Sequence, residues 1–317
     1  MKLKNTFTIS RSNTGWHPKS NFRPLMLLVG IFLIGVGMWV VHEVVTSKFL
    51  SKRERITVGV YDDIPYVFSY DKAARLGTVI YFNPDVLVTV PGGYSWYRLG
   101  SVQLLATIEH KTNFLLTQTF SQLIGAPVDL ALYKTSTEVI YGRDTDFLEY
   151  FMSNRGLKTL FSKKYALSSG NLIDRFLINR ALNASPDRLI VVNAENDYIQ
   201  RGSKLYYTPE RLDSQNKGYF YQKTFSENSV KVRLNVPRKQ YVAGLEISRL
   251  IEGMGIKVLS VEADLNGQKE CSIRHSKENK KVAEQLHNYF PCTLIYSPDQ
   301  GIVIDFQLSE DLAKLYL

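Results

Sequence analysis

The sequence predicts an α/β fold in three parts: an N-terminal transmembrane helix, a mixed-sheet α/β domain and a small α/β C-terminal domain. Three observations carry that prediction. One uncharged run near the start is long enough to span a bilayer, β-branched alternating segments recur through the middle, and strands alternate with helical segments from residue 229 onward. With 317 residues, 44% hydrophobic and 22% charged, the composition is that of globular material. Length leaves room for about two domains of ~150 residues each. Disordered and multi-span membrane classes are excluded.

PLMLLVGIFLIGVGMWVV, Pro24 to Val41, has no charge over 18 positions, and VHEVV extends it. The run reaches the ~20 residues needed to cross the hydrocarbon core. A cleaved signal peptide would have a shorter apolar run and a small-x-small site. Here the run continues into His42, Glu43 and Lys48, so one uncleaved span over 24–46 is expected. A buried soluble helix is the alternative, though helices apolar on every face are rare outside membranes. Lys2, Lys4, Arg11, Lys19 and Arg23 precede the span, without acids, and Lys48, Lys52, Arg53 and Arg55 follow it. That excess puts residues 1–23 in the cytoplasm and everything beyond a juxtamembrane linker, 47–55, outside the cell membrane. The formal charge of +9 suits an anionic partner, lipid headgroups or an acidic polymer rather than nucleic acid, and a solvated basic surface accounts for most of those lysines equally well.

ITVGVYDD reads as a strand that ends in Asp62 and Asp63. TVIYFNP and VLVTVP follow as two strands joined at Asn83-Pro84-Asp85, which suggests a hairpin. From Ser101 to Leu123 the pattern is helical, with Val102, Leu105, Ile108, Leu115, Leu116, Phe120 and Leu123 as core candidates, stopped by Gly125 and Pro127. VDLALYK is a strand, and TDFLEYFMSN opens a helix behind the caps Thr145 and Asp146. SSGNLIDRFLINRAL is a helix whose Leu172, Ile173, Phe176, Leu177 and Ile178 are available to one broad face, and LIVVN is a strand. Residues 194–228 hold only short strands such as KLYYTP, and 211–228 read as a linker.

The region 229–317 is more regular. VKVRLNV, IKVLSVEA, ECSIRHS, CTLIY and GIVIDFQL are strands, and QYVAGLEISRLIEGMG and KKVAEQLHNYF are helices. Crossovers of this length make neighbouring strands parallel. Cys271 and Cys292 then start strands on either side of one helix, at the same end of the sheet, where a disulfide is feasible if those strands are adjacent. Free buried thiols fit the sequence equally. No cysteine or histidine spacing suits zinc. Asn183-Ala-Ser185 fits a glycosylation triplet of the kind that arises by chance.

TVPGGYSWYRLGS raises a narrower question, because Gly92 and Gly93 precede Tyr94, Trp96, Tyr97 and Arg98. Glycines there either bring backbone amides to an anion or simply make a turn.

The C-terminal stretch resembles the LytR C-terminal domain of bacterial envelope proteins. The likeness rests on a strand ending in Asn235, a helix opening with Ala243-Gly244-Leu245 and closing at Gly255-Ile256-Lys257-Val258, and a second strand-helix-strand unit. It departs from that pattern at Asn235-Val236-Pro237, where Asn-Gly is usual. The region 56–210 resembles a diverged LytR-CpsA-Psr (LCP) domain, whose family attaches glycopolymers to peptidoglycan. ITVGVYDD looks like its first strand and Gly-x-Asp, ARLGTVIYFNP like its Arg-Ser-Asp-Thr and following strand, and VLVTVPGGY like the strand ending in Pro-Arg-Asp-Thr. FSQLIGAPVD looks like its Gly-x-Pro-x-Asp segment, and SGNLIDRFLINRALNASPDRLIVVN like its late helix and strand.

The resemblance implies basic side chains and a metal-holding carboxylate around a polyprenyl diphosphate. Arg75 matches one arginine and Arg98 loosely matches another basic residue; Trp96 and Tyr97, by their aromatic character alone, are candidates to line a lipid or sugar contact. Tyr61 replaces the Gly-x-Asp acid, so Asp62 or Asp63 becomes the candidate catalytic or metal-holding carboxylate. Gly77 replaces one aspartate, and Gly92 and Gly93 replace an arginine and an aspartate. Lost charge-assisted contacts cost several kcal/mol of transition-state stabilisation each. The leading expectation is therefore a non-catalytic binding or scaffolding module for cell-wall or surface glycopolymer assembly, without cofactor. The alternatives are an active phosphotransferase using Mg²⁺, and a tether for an envelope protein partner.

Overall fold

The computed structural model describes residues 22–136, 138–141, 146–154, 163–168, 170–183, 188–208, 218–264 and 270–317. Residues 1–21 of the expected cytoplasmic segment 1–23, the cap Thr145, most of the glycosylation triplet and residues 209–217 lie outside them. The chain divides into two compact units, one ending at Val44 and one covering Val45–Leu317.

Helix α1, Phe22–Thr46, lies in the first unit except for its last two residues. Its stretch Met26–Thr46 is the one helix among the described residues long and apolar enough to cross a membrane. At about 1.5 Å per residue it spans roughly 31 Å, close to the ~30 Å hydrocarbon thickness.

The second unit is mixed α/β with three sheets. β1 (Arg55–Tyr61), β2 (Tyr66–Asp71) and β3 (Leu76–Tyr81) form an antiparallel meander. The chain then leaves that sheet for the hairpin β4 (Leu87–Val90) and β5 (Ser95–Arg98). Helices α2 (Val102–Ile108) and α3 (Thr112–Ile124) lead back to β6 (Leu130–Lys134), parallel to β1. Helix α4 (Phe147–Asn154) precedes the edge strand β7 (Tyr165–Leu167), and α5 (Leu172–Leu182) precedes β8 (Leu189–Asn193), parallel to β3. The six-stranded order is β7-β6-β1-β2-β3-β8. β9 (Tyr198–Arg201) and β10 (Lys204–Tyr207) complete a four-stranded sheet, β5-β4-β10-β9.

β1 is buried on both faces, and its period-two alternation divides two cores. Tyr61 joins Val67, Ile80, Leu115 and Phe120 on the α3 side. Ile56, Val58 and Val60 join Phe68, Leu130, Phe151 and Ile178 on the other.

The third sheet runs β11 (Lys231–Pro237), α6 (Tyr241–Gly253), β12 (Lys257–Asp264), β13 (Ser272–His275), α7 (Lys280–Tyr289), β14 (Thr293–Tyr296), β15 (Val303–Gln307) and α8 (Glu310–Lys314). Its order is β12-β11-β15-β13-β14. Each helix crossover joins a parallel pair, β11 with β12 and β13 with β14, whereas β13 and β15 are antiparallel. Gly255, at φ 102°, closes α6.

Four expectations need correction. The strands flanking Asn83-Pro84-Asp85 belong to different sheets, so they are not a hairpin. The Asn83 side chain accepts from the Asp85 amide, turning the chain out of the first sheet at β3. The hairpin partner of β3 is β2, and that of β4 is β5. The helical stretch from Ser101 is two helices, broken where His110 takes φ 54°. Ile108, a core candidate, is 64% exposed, and of the broad face expected on the later helix Leu172 and Phe176 are 52% and 54% exposed while Ile178 is buried. Of residues 218–228, expected as linker, Phe220 packs into the core beneath the four-stranded sheet and Phe225 into the C-terminal core.

Candidate functional site

β1 and β6 are parallel and paired from Val58↔Leu130 to Tyr61↔Tyr133. One step further this register brings Lys134 beside the two acids that follow β1. The Lys134 ammonium lies 2.8 Å from Asp62 Oδ1 and also pairs with Asp63 Oδ1. Asp62 is 3% exposed, so its charge needs partners. The Tyr165 hydroxyl donates to Oδ2 at 2.8 Å, the Asp63 amide donates to Oδ1 at 2.9 Å, and the Tyr150 phenol hydrogen-bonds the same carboxylate. Burial, then the Asp62 charge, pushes the phenols of Tyr66, Tyr150 and Tyr165 well above the usual tyrosine range. Burial alone would lower the Lys134 ammonium, but its hydrogen bonds and charge contacts with Asp62 and Asp63 outweigh that and raise it.

Mg²⁺ favours octahedral oxygen ligands at roughly 2.0–2.1 Å and keeps several waters. The residues here do not fit that demand. The cation between the two carboxylates is an ammonium, and the buried carboxylate is already shared with two phenols. No group of three or more His, Cys, Asp or Glu is disposed to hold a metal ion among the described residues. We therefore derive no step through a metal.

Arg75 stands far from this cluster. It lies in the β2–β3 turn, exposed at φ 54°, next to Leu76, which pairs with Asp71, itself opposite Arg55 at the start of β1. Asp62 follows the other end of β1, roughly 24 Å away at about 3.4 Å per residue. The two cannot meet on one diphosphate. A carboxylate at position 77, where the resembled family carries one, would require the Leu189 and Phe68 side chains to shift. A Cβ would fall 2.5 Å from Leu189 Cδ2 and 2.9 Å from Phe68 Cε2.

Arg98, Trp96 and Tyr97 belong to the four-stranded sheet. The pairs Leu87↔Arg98, Thr89↔Trp96, Tyr206↔Leu87, Tyr206↔Ile199 and Lys204↔Arg201 put Trp96, Arg98, Tyr206, Lys204 and Arg201 on one face. Tyr97 points the other way, into the core. On the outer face Trp96 is 45% exposed and meets the Tyr206 ring edge-on at 5.2 Å. Arg201 covers Tyr206 at 5.6 Å, and Arg98 covers Tyr141 at 4.2 Å. Arg98 also pairs with Asp85 at 3.4 Å and donates to the Ile140 carbonyl at 3.2 Å. Sequence reasoning selected Trp96 and Arg98 but missed Tyr206 and Arg201, because the parallel pairing of β10 with β4 brings them in from over a hundred positions away.

Gly92 and Gly93 form the β4–β5 turn at φ 89° and 84°. Both amides donate to the Leu317 carbonyl, at 2.5 and 3.1 Å. A turn and an oxygen-binding pair of amides are thus the same feature, and the oxygen comes from the chain itself. Cys271 and Cys292 are joined in a disulfide with a Cα–Cα distance of 4.8 Å. They immediately precede Ser272 and Thr293, which pair across β13 and β14.

A cavity of about 380 Å³ is lined by Lys48, Arg53, Asp129, Gln118, Tyr289 and Tyr316 among others. Its charges serve the fold. Arg53 pairs with Asp129, donates to the Asn288 carbonyl and lies 4.4 Å over the Tyr289 ring. Asp129 accepts the Thr57 amide at 2.7 Å, and the Lys48 ammonium donates to its carbonyl at 2.9 Å. Asp129 is the acid of Gly125-Ala-Pro127-Val-Asp129, so that segment has a structural use here.

No family model matches the chain, and no curated protein does. Solved structures similar to it include B. subtilis TagT, at 10% identity over 52% of this chain and 89% of that one, with a TM-score of 0.36. A LytR-CPS2A-psr family protein YwtF (TagT) with bound octaprenyl pyrophosphate lipid is 10% identical over 51% and 87%, with a TM-score of 0.34. B. subtilis TagV is 7% identical over 52% and 95%, with a TM-score of 0.36.

Proposed function

We propose that this protein is a membrane-anchored, extracytoplasmic binding module for acidic glycopolymer of the cell envelope, and that it performs no transfer chemistry. The observation that carries the second half is the Lys134 ammonium bridging Asp62 and Asp63. It occupies the charge position a divalent ion would need, while Gly77 is packed by Leu189 and Phe68 and Arg75 lies at the opposite end of the sheet. Support for the first half comes from the outer face of the four-stranded sheet. Trp96 and Tyr206 offer flat apolar surface to sugar rings, and Arg98, Arg201 and Lys204 offer positive charge to phosphate or carboxylate groups along the polymer. Among the described residues, no carboxylate pairs with Arg201 or Lys204.

The test uses the full chain in lipid nanodiscs with a glycerol-phosphate glycopolymer. Binding should be saturable and weaken with salt. Trp96→Ala and Arg201→Ala should each weaken it several-fold, as expected for contacts of roughly 1 kcal/mol. Incubation with a polyprenyl-diphosphate-linked glycan, peptidoglycan and Mg²⁺ should give no turnover. Mg²⁺-dependent transfer would overturn the non-catalytic reading. Polymer binding that neither substitution changes would overturn the assignment of the face.

A further inference from the structure

Helix α5 opens with a capping box in which the Asn171 side chain accepts the Asp174 amide and the Asp174 carboxylate accepts the Asn171 amide. That box does more than start a helix. Asp174 is fully buried, and it also accepts the Ser47 hydroxyl at 2.6 Å and the amides of Lys48 and Phe49 at 3.3 and 2.8 Å. Asn171 Nδ2 donates to Thr46 Oγ1 at 3.1 Å. Thr46 is the last residue of the apolar helix. The first turn of α5 is therefore hydrogen-bonded to the point where the chain would leave a membrane.

The rest of α5 carries apolar side chains on two faces, one turned to the core and one to the outside. Ile178, Ala181 and Leu182 enter the core. Leu172, Phe176 and Arg180 follow one another at four-residue spacing on the outside, with Leu172 52% and Phe176 54% exposed. The only acid on the helix, Asp174, is consumed in the clamp, so its outer charges are arginines. A large apolar pair beside a membrane exit, flanked by guanidinium groups, has the make-up of an interfacial helix that sinks its apolar side into the headgroup boundary.

We infer that α5 lies on the membrane surface, with Leu172 and Phe176 inserted among acyl chains and Arg180 at the lipid phosphates. The occupant of this face is the bilayer itself, an inference that rests on the anchoring role of α1. The experiment uses the full chain in nanodiscs of phosphatidylcholine and phosphatidylglycerol, with single nitroxide labels on Phe176→Cys, Leu172→Cys, Val36→Cys within α1, and Gln200→Cys on the four-stranded sheet. The two native cysteines are joined to each other. Labels at 172 and 176 should collide with dissolved oxygen more than with a water-soluble nickel chelate, as the label at 36 does, while the label at 200 shows the reverse. Water exposure at both 172 and 176 with lipid exposure at 36 would overturn this inference and leave the anchor standing. Water exposure at 36 would overturn the anchor and this inference together.

Discussion

Replacing Lys134 with Met removes the ammonium that serves two carboxylates and keeps most of the side chain's apolar volume. Asp63 is partly exposed and can be resolvated, but the Asp62 side chain is only 4% exposed. Removing one partner of a buried pair costs about 3–5 kcal/mol, because the remaining charge stays desolvated. Asp62 keeps the Tyr165 hydroxyl, and a quarter of the Lys134 side chain already meets water, so the lower end, about 3 kcal/mol, applies. For a unit of this size that corresponds to a drop of roughly 5–10 °C in melting temperature. Adding Asp62→Asn to Lys134→Met removes the stranded charge and should recover part of the loss, a coupling of about 1–3 kcal/mol in the double-mutant cycle. Melting of the full chain in nanodiscs, followed by near-UV circular dichroism, reads both. If Lys134→Met melts within about 1 °C of the parent, or if the double variant is no more stable than the single one, the bridge does not hold the site together and the argument against a metal fails with it.

Gly77→Asp, which restores the acid of the resembled motif, should destabilise by about 1–3 kcal/mol through overpacking against Leu189 and Phe68; denaturant midpoints measure it, and a neutral outcome would show that the strand has room for the acid. Reducing the Cys271–Cys292 disulfide, which spans a sequence separation of 21, should cost about 3 kcal/mol by loop closure, seen as a lower melting temperature of Cys271→Ser/Cys292→Ser. The Lys134 ammonium is held above its ordinary 10.5, so its stabilisation is complete below that pH and is lost as pH rises through the folded value. The stability difference between parent and Lys134→Met should therefore shrink at strongly alkaline pH, and a constant difference would contradict the ion pair.

Much of this fold is legible in local pattern. The C-terminal strands and helices announce themselves because each is a clean period-two or period-3.6 segment bounded by glycine or a polar turn. β2 has no such clean pattern, because its tyrosines, serine and aspartate gain their meaning only between β1 and β3. Asn83-Pro84-Asp85 makes a turn but not a hairpin, since a turn signal does not say which sheet receives the next strand. The candidate acids at 62 and 63 could be found at a strand end. Lys134, Tyr150 and Tyr165 could not, because the parallel pairing of β1 with β6 and the placement of β7 are non-local. Phe176 has the opposite lesson, since an apolar residue at helical spacing satisfies the pattern for a core and for any other apolar environment alike.

The contacts of Arg53 and Glu54 constrain the order in which this chain can fold. Arg53 binds the Asn288 carbonyl across 235 positions, and Glu54 binds the amide and hydroxyl of Thr224 across 170. The length-dependent entropy of closing a loop of the longer span is about 5 kcal/mol, and no local contact can make that closure early. The β1–β2–β3 meander can form as soon as residue 81 has been made. The residues just before β1 must wait until α7 is complete. A chain held at its start by a membrane anchor would therefore carry an open-edged sheet through most of its synthesis, and its final closure would be a late event sensitive to whatever attends newly exported chains.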